Sequence, residues 1–264
     1  MADSVEFRLL GPLDVRVGGR AVEVKAHREM ATLAALLFHP NEIVSTGRLA
    51  AAVWDDDLPA NPANQIAICV LSLRRRLRAA GAPREFIITR SPGYLIRIEP
   101  GQLDTLRVES HIARVRDAES RGEREEPLAE LRAALRCWRG PVLPGLGGRL
   151  LAPEIVRWEE RRVELLEQCV QLDLDLGRHR AVIGELTAMV ADRGMRERPR
   201  EQLMIALYRA GRRTQALSVY QATRKLFLTD LGIEPSARLC RLRDAIRDGT
   251  LGMSPDGRPC LTGW

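Results

Sequence analysis

The stretch of sequence that decides the fold is NPANQIAICVLSLRRRLRAA, residues 61–80. Asn61 or Pro62 starts a helix, because both residue types are favoured at helix N-termini, and Gly81 and Pro83 stop it. At about 100° per residue, one face of this helix carries four apolar side chains. They form the core stripe: Ile66, Val70, Leu73 and Leu77. We therefore predict an amphipathic helix that packs by one face.

The opposite side of this helix carries residue types that can recognise DNA. It presents Asn64, Ile68, Leu71 and Arg75, with Gln65, Ser72, Arg74, Arg76 and Arg78 on the flanks. Asn and Gln can hydrogen-bond to adenine edges, an exposed Ile or Leu can pack on a thymine methyl, and Arg can pair with guanine or a phosphate. We predict that the helix enters the major groove. The alternative is that Ile68 and Leu71 contact another part of the protein.

Positive charge is concentrated in the same region. Between Leu71 and Arg97 there are seven arginines and one acid, Glu85, so this window carries +6, the formal charge of the whole chain. The arginines are Arg74, Arg75, Arg76, Arg78, Arg84, Arg90 and Arg97. A solvated helix face is the alternative, but a concentrated basic patch is the electrostatic footprint expected of phosphate binding.

The elements around this helix predict a winged helix-turn-helix. In chain order they are a β-meander (5–10, 13–17 and 20–24), a helix (31–38), a helix capped by Ser45 (46–54), the helix described above, and a β-hairpin (85–89 and 94–98). Gly18-Gly19 supplies a hairpin turn in the meander, and Pro40 stops the first helix. Residues 90–93, RSPG, join the two strands of the wing.

Beyond Gly101 the sequence is almost wholly helical. Predicted helical segments cover 103–119, 127–138 and 153–176, with a Gly/Pro-rich break at 140–148. The segment 172–178 recurs at 206–212, an offset of 34 residues that is the tetratricopeptide period.

The fold class is therefore mainly α with a small β content, in two domains. We predict a winged helix over residues 1–100, an all-α tetratricopeptide-like domain over 101–250, and a disordered tail over 251–264.

Several protein classes are excluded by the composition and by missing motifs. The longest uncharged apolar runs are far shorter than the roughly 18 residues of a membrane span. The five cysteines form no CxxC pair, the four histidines have no metal-ligand spacing, and no GxSxG or Walker A motif is present. Cys69 is expected to pack in the core rather than act as a nucleophile. We expect a non-enzymatic, cytoplasmic, nucleoid-associated protein without cofactor or metal.

Four stretches carry a family resemblance. Together they resemble the output domain of OmpR/PhoB-type response regulators. They are FHPNEIVS (38–45), Trp54, LRRRL (73–77) and TRSPGY (89–94). No receiver domain is expected in front of it, and a helical domain follows it. This arrangement resembles the Streptomyces antibiotic regulatory protein (SARP) family of transcription activators. The stretch LGIEPS (231–236) resembles the end of that family's activation domain.

The resemblance implies roles for particular residues. Arg90 in the wing would enter the minor groove or grip the adjacent backbone, and Trp54 would donate its indole N–H to a phosphate, a core position being the alternative. Thr89 and Ser45 are further candidate DNA contacts. Leu71 stands where some response regulators place a base-reading arginine, so their base specificity does not transfer to this chain.

The resemblance also implies partners and a function. The partners are double-stranded promoter DNA with direct repeats, RNA polymerase holoenzyme including its sigma factor, and a second copy of the chain, at least on DNA. We predict a sequence-specific activator of antibiotic or other secondary-metabolite biosynthesis. A repressor with the same DNA-binding domain is one alternative. The other is an adaptor or sensor whose repeats bind a partner or ligand, although an adaptor has no need of the +6 window.

Overall fold

A computed structural model describes residues 5–82, 86–123, 125–192, 195–253 and 259–260 of the chain. The chain divides into two compact units. The first contains Met1–Ser120 and Ala129–Glu164, and the second contains Arg121–Leu128 and Leu165–Trp264. The first unit is thus longer than the winged helix predicted for residues 1–100. Every helix in the described ranges is too short or too polar to span a membrane.

The elements of the winged helix come first in the chain. They are β1 Val5–Arg8, β2 Asp14–Val17, β3 Arg20–Ala21, α1 His27–Leu37, β4 Val44–Ser45, α2 Thr46–Trp54, α3 Pro62–Ala79, β5 Ile87–Arg90 and β6 Gly93–Ile96. The order β1-β2-β3 is an antiparallel meander and the order β4-β6-β5 is the wing sheet. Meander, three helices and hairpin confirm the predicted winged helix-turn-helix.

The rest of the described chain is almost wholly helical, as predicted. Its elements are α4 Asp104–Ser120, α5 Glu125–Leu135, α6 Gly148–Asp175, α7 His179–Asp192, α8 Glu197–Arg209, α9 Arg213–Asp230, α10 Ala237–Asp248, β7 Gly252–Met253 and β8 Pro259–Cys260. The short pair β7–β8 falls inside the tail predicted as disordered, at a point where Leu251 is buried. The other tail residues, 254–258 and 261–264, lie outside the described chain.

Two helices begin where their sequence predicts. Helix α2 covers the predicted residues, and the Ser45 hydroxyl accepts a hydrogen bond from the backbone N–H of Arg48 at 3.2 Å. Helix α3 has Asn61 as its N-cap, with the side-chain oxygen accepting from the N–H of Asn64 at 3.0 Å. Both caps join residues three apart in sequence, so the starts of these two helices can be predicted from the local sequence.

Three other helices begin earlier than predicted: α5 by only two residues, at Glu125 rather than residue 127, and α1 and α6 by four and five residues. Helix α1 starts at His27 rather than residue 31, and Ala26 offers no side-chain cap. Its first turn is instead fixed by an ion pair between Glu29 and Arg76, 3.1 Å apart. Helix α6 starts at Gly148 rather than residue 153, where the Asp55 carboxylate accepts from the N–H of Arg149 at 2.7 Å. The starts of α1 and α6 depend on partners distant in sequence.

Strand β4, which was not predicted, fastens the wing to helix α2. Ser45 pairs with Gly93 of β6, and the N–H of Thr46 donates to the carbonyl of Pro92 at 3.1 Å. The approach is so close that a Cβ on Gly93 would lie 1.9 Å from the carbonyl oxygen of Val44. Only glycine fits at this crossing of the two strands.

Replacing Gly93 with alanine should therefore destabilise the protein. The added methyl would force β4 and β6 apart, at a cost of about 3 kcal/mol or more. The measurement is the free energy of unfolding in urea. Gly47→Ala, in the first turn of helix α2, is the matched control, since its Cβ would meet nothing within 4 Å and helices favour alanine over glycine. Equal stability of the two variants would contradict the close approach.

The 34-residue repeat appears in the second unit as two equivalent turns. Gly177 and Gly211 both have positive φ, 76° and 80°. The residue after each glycine donates its N–H to the carbonyl four residues before that glycine, and both bonds measure 2.8 Å. Arg209 joins the two turns, because its guanidinium donates to the carbonyl of Leu174 at 3.1 Å. The repeat predicted from sequence is therefore a structural repeat.

Candidate nucleic-acid interface

Helix α3 exposes one continuous stripe. Its members are Asn64, Ile68, Leu71, Arg75 and Arg78, at the spacing i, i+4, i+7, i+11 and i+14. Ile68 and Leu71 are 52% and 57% exposed, so no other described element of the first unit covers them. The alternative in which these two side chains pack inside that unit is thereby removed. Gln65 and Ser72 are half-buried at the margins of the stripe.

Packing of the opposite face of α3 fixes the direction in which this stripe points. All four predicted core residues of α3 are buried: Ile66, Val70, Leu73 and Leu77. Cys69 is buried beside them, and burial raises the pKa of its thiol, so the group stays protonated and packs as a small apolar side chain. Because one face of the helix is held in the core, the polar and basic face must point outward.

The structure separates the helix-three arginines into two kinds. Arg74 is held by the wing, since its Nε donates to the carbonyl of Ile87 at 2.8 Å and its Nη2 donates to the Thr89 hydroxyl at 2.9 Å. Arg76 pairs with Glu29 and also donates to the carbonyl of Glu23 at 3.1 Å. The guanidinium groups of these two arginines thus already have partners in the first unit.

Arg75 and Arg78 are different, because both are exposed and neither has a hydrogen bond or ion pair among the described residues. They lie on the stripe itself, toward its C-terminal end. Two exposed cations that follow a row of amide and apolar side chains have the chemistry needed for phosphate contacts next to side chains able to read bases. These are the arginines of α3 that the geometry leaves available for DNA.

The wing contributes a third available cation. Arg90 ends β5, and its exposed side chain has no hydrogen-bond or ion-pair partner in the described chain. The neighbouring Thr89 is also exposed, and its hydroxyl accepts from Arg74, which connects the wing to α3. Arg84 and Glu85 of the +6 window lie outside the described residues.

Trp54 and Ser45 lie at opposite ends of α2. Trp54 is half-buried, and the guanidinium of Arg28 lies over its ring, 5.4 Å from the centroid. The Ser45 hydroxyl caps the helix, so its side chain has a structural role in addition to any DNA contact. Sequence reasoning missed Arg28, because nothing in the local pattern indicates that the start of α1 reaches the end of α2.

One face of helix α3 carries amide, apolar and basic side chains, and its other face is packed in the core. A β-hairpin with an exposed arginine belongs to the same unit. These features define a DNA-binding winged helix-turn-helix regulator. The comparisons agree. Residues 20–96 match the sequence family described as "Transcriptional regulatory protein, C terminal", and residues 103–247 match "Bacterial transcriptional activator domain". The chain belongs to the SARP family of transcriptional regulators, which are not enzymes.

Relatives cover the chain over nearly its whole length. It is 32% identical to the regulatory protein DnrI of Streptomyces peucetius over 260 residues, 96% of each chain. It is 33% identical to the regulatory protein AfsR of Streptomyces griseus over 245 residues, 93% of this chain but only a quarter of that one. The solved structure of Mycobacterium tuberculosis EmbR, in complex with a low-affinity phosphopeptide, matches with a TM-score of 0.87 and 31% identity. That match covers 94% of this chain and 66% of EmbR.

Arg75 and Arg76 provide a direct test of the division among the arginines. Arg75→Ala should weaken binding to every DNA sequence and reduce the slope of log K against log salt by about one unit. Arg76→Gln, which removes the same charge from an arginine already paired with Glu29, should change the slope much less. Fluorescence anisotropy over a salt series measures both. Equal slopes for the two variants would show that pairing within the protein does not decide which arginines face DNA.

Proposed function

We propose that the protein is a sequence-specific transcription activator that acts in the cytoplasm on promoter DNA and controls antibiotic or other secondary-metabolite genes. The observation that supports this most directly is the exposed stripe of α3, with the wing Arg90 in the same compact unit. The relatives DnrI and AfsR are regulatory proteins of Streptomyces, which favours a regulatory role for this chain as well.

Different residues of the stripe would contact the bases and the phosphates. Asn64, Ile68 and Leu71 would meet base edges in the major groove, because amide and apolar side chains discriminate between bases. Arg75 and Arg78 would meet phosphates, which position the protein without reading sequence. Arg90 would enter the adjacent minor groove, where a narrow A·T-rich segment attracts arginine.

Asn64 should determine a preferred base. An amide paired with adenine contributes roughly 1–3 kcal/mol of discrimination, so Asn64→Ala should relax the preference at one position of the site while general affinity falls little. The measurement is binding-site selection from a random DNA library. Gln171→Ala, at a half-buried position in the second unit, is the matched amide control. A selected consensus identical for Asn64→Ala and wild type would remove Asn64 from the base-reading set.

Direct repeats would bring two copies to one face of the DNA. Binding of the second copy is then favoured by its high effective concentration beside the first, a gain of about 10²- to 10⁴-fold in avidity. The predicted homodimer on DNA and the contacts with RNA polymerase holoenzyme, including its sigma factor, belong to this proposal. Neither follows from the winged helix alone.

A spacing series tests the repeats and the activation together. The full chain should bind two repeats much more tightly than one, and inserting about half a helical turn, roughly 5 bp, should abolish the gain because the second site then faces the other side of the duplex. Transcription with purified RNA polymerase holoenzyme should rise with occupancy of the intact site. Affinity that ignores the insertion would contradict paired binding, and transcription that falls with occupancy would make the protein a repressor.

A further inference from the structure

One face of helix α4 gathers four polar side chains around a cavity in the first unit. Arg107, Ser110, His111 and Arg114 follow the spacing i, i+3, i+4 and i+7, so they share a face. The cavity has a volume of about 490 Å³, within the range typical of small-molecule sites. Its remaining lining comes from Asn41, Ile98, Pro100, Gly101 and Leu106.

Arg107 is the unusual member of this face. It is half-buried, its Nε is shielded from solvent without an acceptor, and its guanidinium makes no hydrogen bond or ion pair within the described ranges. Asp104 is the acid one turn earlier, but its two carboxylate oxygens already accept backbone N–H groups from Leu9 and Leu10 at 3.0 and 2.9 Å. A buried N–H donor without an acceptor is costly, so the Nε–H of Arg107 calls for an explanation.

The other basic side chains at the cavity already have a partner. Glu130 lies 2.8 Å from the Nε of Arg114 and 2.6 Å from the Nδ1 of His111. Although burial acts in the opposite direction, hydrogen bonds from His111 and Arg114 hold the pKa of Glu130 below its ordinary value. This one carboxylate serves both partners. Asp104 attracts Arg107 electrostatically, but neither Glu130 nor Asp104 accepts a hydrogen bond from Arg107.

The wall opposite this face is rigid and partly apolar. Asn41 has a left-handed backbone with φ 64°. Its side-chain amide accepts from the N–H of Ile98 and donates to the carbonyl of the same residue, both at 2.9 Å. The wall is therefore preorganised, and Ile98 and Pro100 give it an apolar surface. Leu106 of α4 adds to the apolar lining of the cavity.

We propose that this cavity binds a small organic carboxylate. The carboxylate would pair with Arg107, whose planar guanidinium matches it with two hydrogen bonds. Ser110 would add a donor, since its oxygen accepts from Arg114 while its hydroxyl hydrogen is free to rotate toward the ligand. The apolar body of the ligand would lie against Ile98, Pro100 and Leu106. One guanidinium without a hydrogen-bond acceptor, beside an apolar wall, fits a monoanion better than a phosphate.

The test uses the full chain with benzoate as the probe, at constant ionic strength. The Nε–H signal of Arg107 in a nitrogen–proton correlation spectrum should shift saturably, with the millimolar affinity expected for so small a ligand. Arg107→Gln should weaken benzoate binding, followed at other signals of α4, at least about tenfold. Arg116→Gln, nine residues along the helix and therefore on the opposite side, should bind benzoate like wild type.

Three further arms make the outcome decisive. Benzamide, the neutral counterpart, should bind at least about tenfold more weakly than benzoate. Ser110→Ala at an exposed position should keep the fold and weaken binding about two- to fivefold, which covers the case of an unfolded Arg107→Gln. Any one of three results would overturn the proposal. They are a failure of benzoate to bind saturably, binding of benzamide as tight as that of benzoate, and binding of inorganic phosphate as tight as that of benzoate.

Discussion

The buried carboxylate of Asp104 is the interaction on which the first unit depends. It is fully buried, and it accepts the backbone N–H groups of Leu9 and Leu10, which have no partner in the meander. Buried backbone donors must be satisfied, and a charged acceptor forms the stronger kind of hydrogen bond. Burial raises the pKa of Asp104, and the two backbone hydrogen bonds oppose that shift.

The same loop is held from a second direction. The backbone N–H of Arg139 donates to the carbonyl of Leu10 at 2.8 Å, and that of Leu143 donates to the carbonyl of Gly11 at 2.9 Å. Residues of the helical half of the sequence thus complete the hydrogen bonding of the β-meander. This explains why the first compact unit includes residues beyond Gly101, where the sequence becomes almost wholly helical.

Local signals made most of the fold predictable. The caps at Ser45 and Asn61 and the apolar stripe of α3 all involve residues within a few positions of one another, and the elements they predict are present. The starts of α1 and α6, and the strand β4, depend instead on Arg76, Asp55 and Gly93, which lie far along the chain from the elements they fix. Such partners are known only once the chain has folded.

For the candidate interface, the positions of the arginines on α3 were predictable from the sequence, but their partners within the protein were not. Periodicity placed the arginines around α3, with Arg75 on the outer face and Arg74 and Arg76 on its flanks. It could not show that the carbonyl of Ile87 and the carboxylate of Glu29 already occupy the two flanking guanidiniums. A count of arginines therefore overstates the charge available to DNA, and the difference arises from long-range contacts.

The two hydrogen bonds of Arg74 have a mechanical consequence. They join helix α3 to the wing strand at Ile87 and Thr89, so the distance between the two elements is set before any DNA arrives. If α3 and the wing occupy neighbouring grooves as proposed, the protein presents these two elements to the duplex at a fixed spacing. The duplex must then adjust its groove widths to the protein, and sequences that deform easily are favoured even at base pairs that no side chain touches.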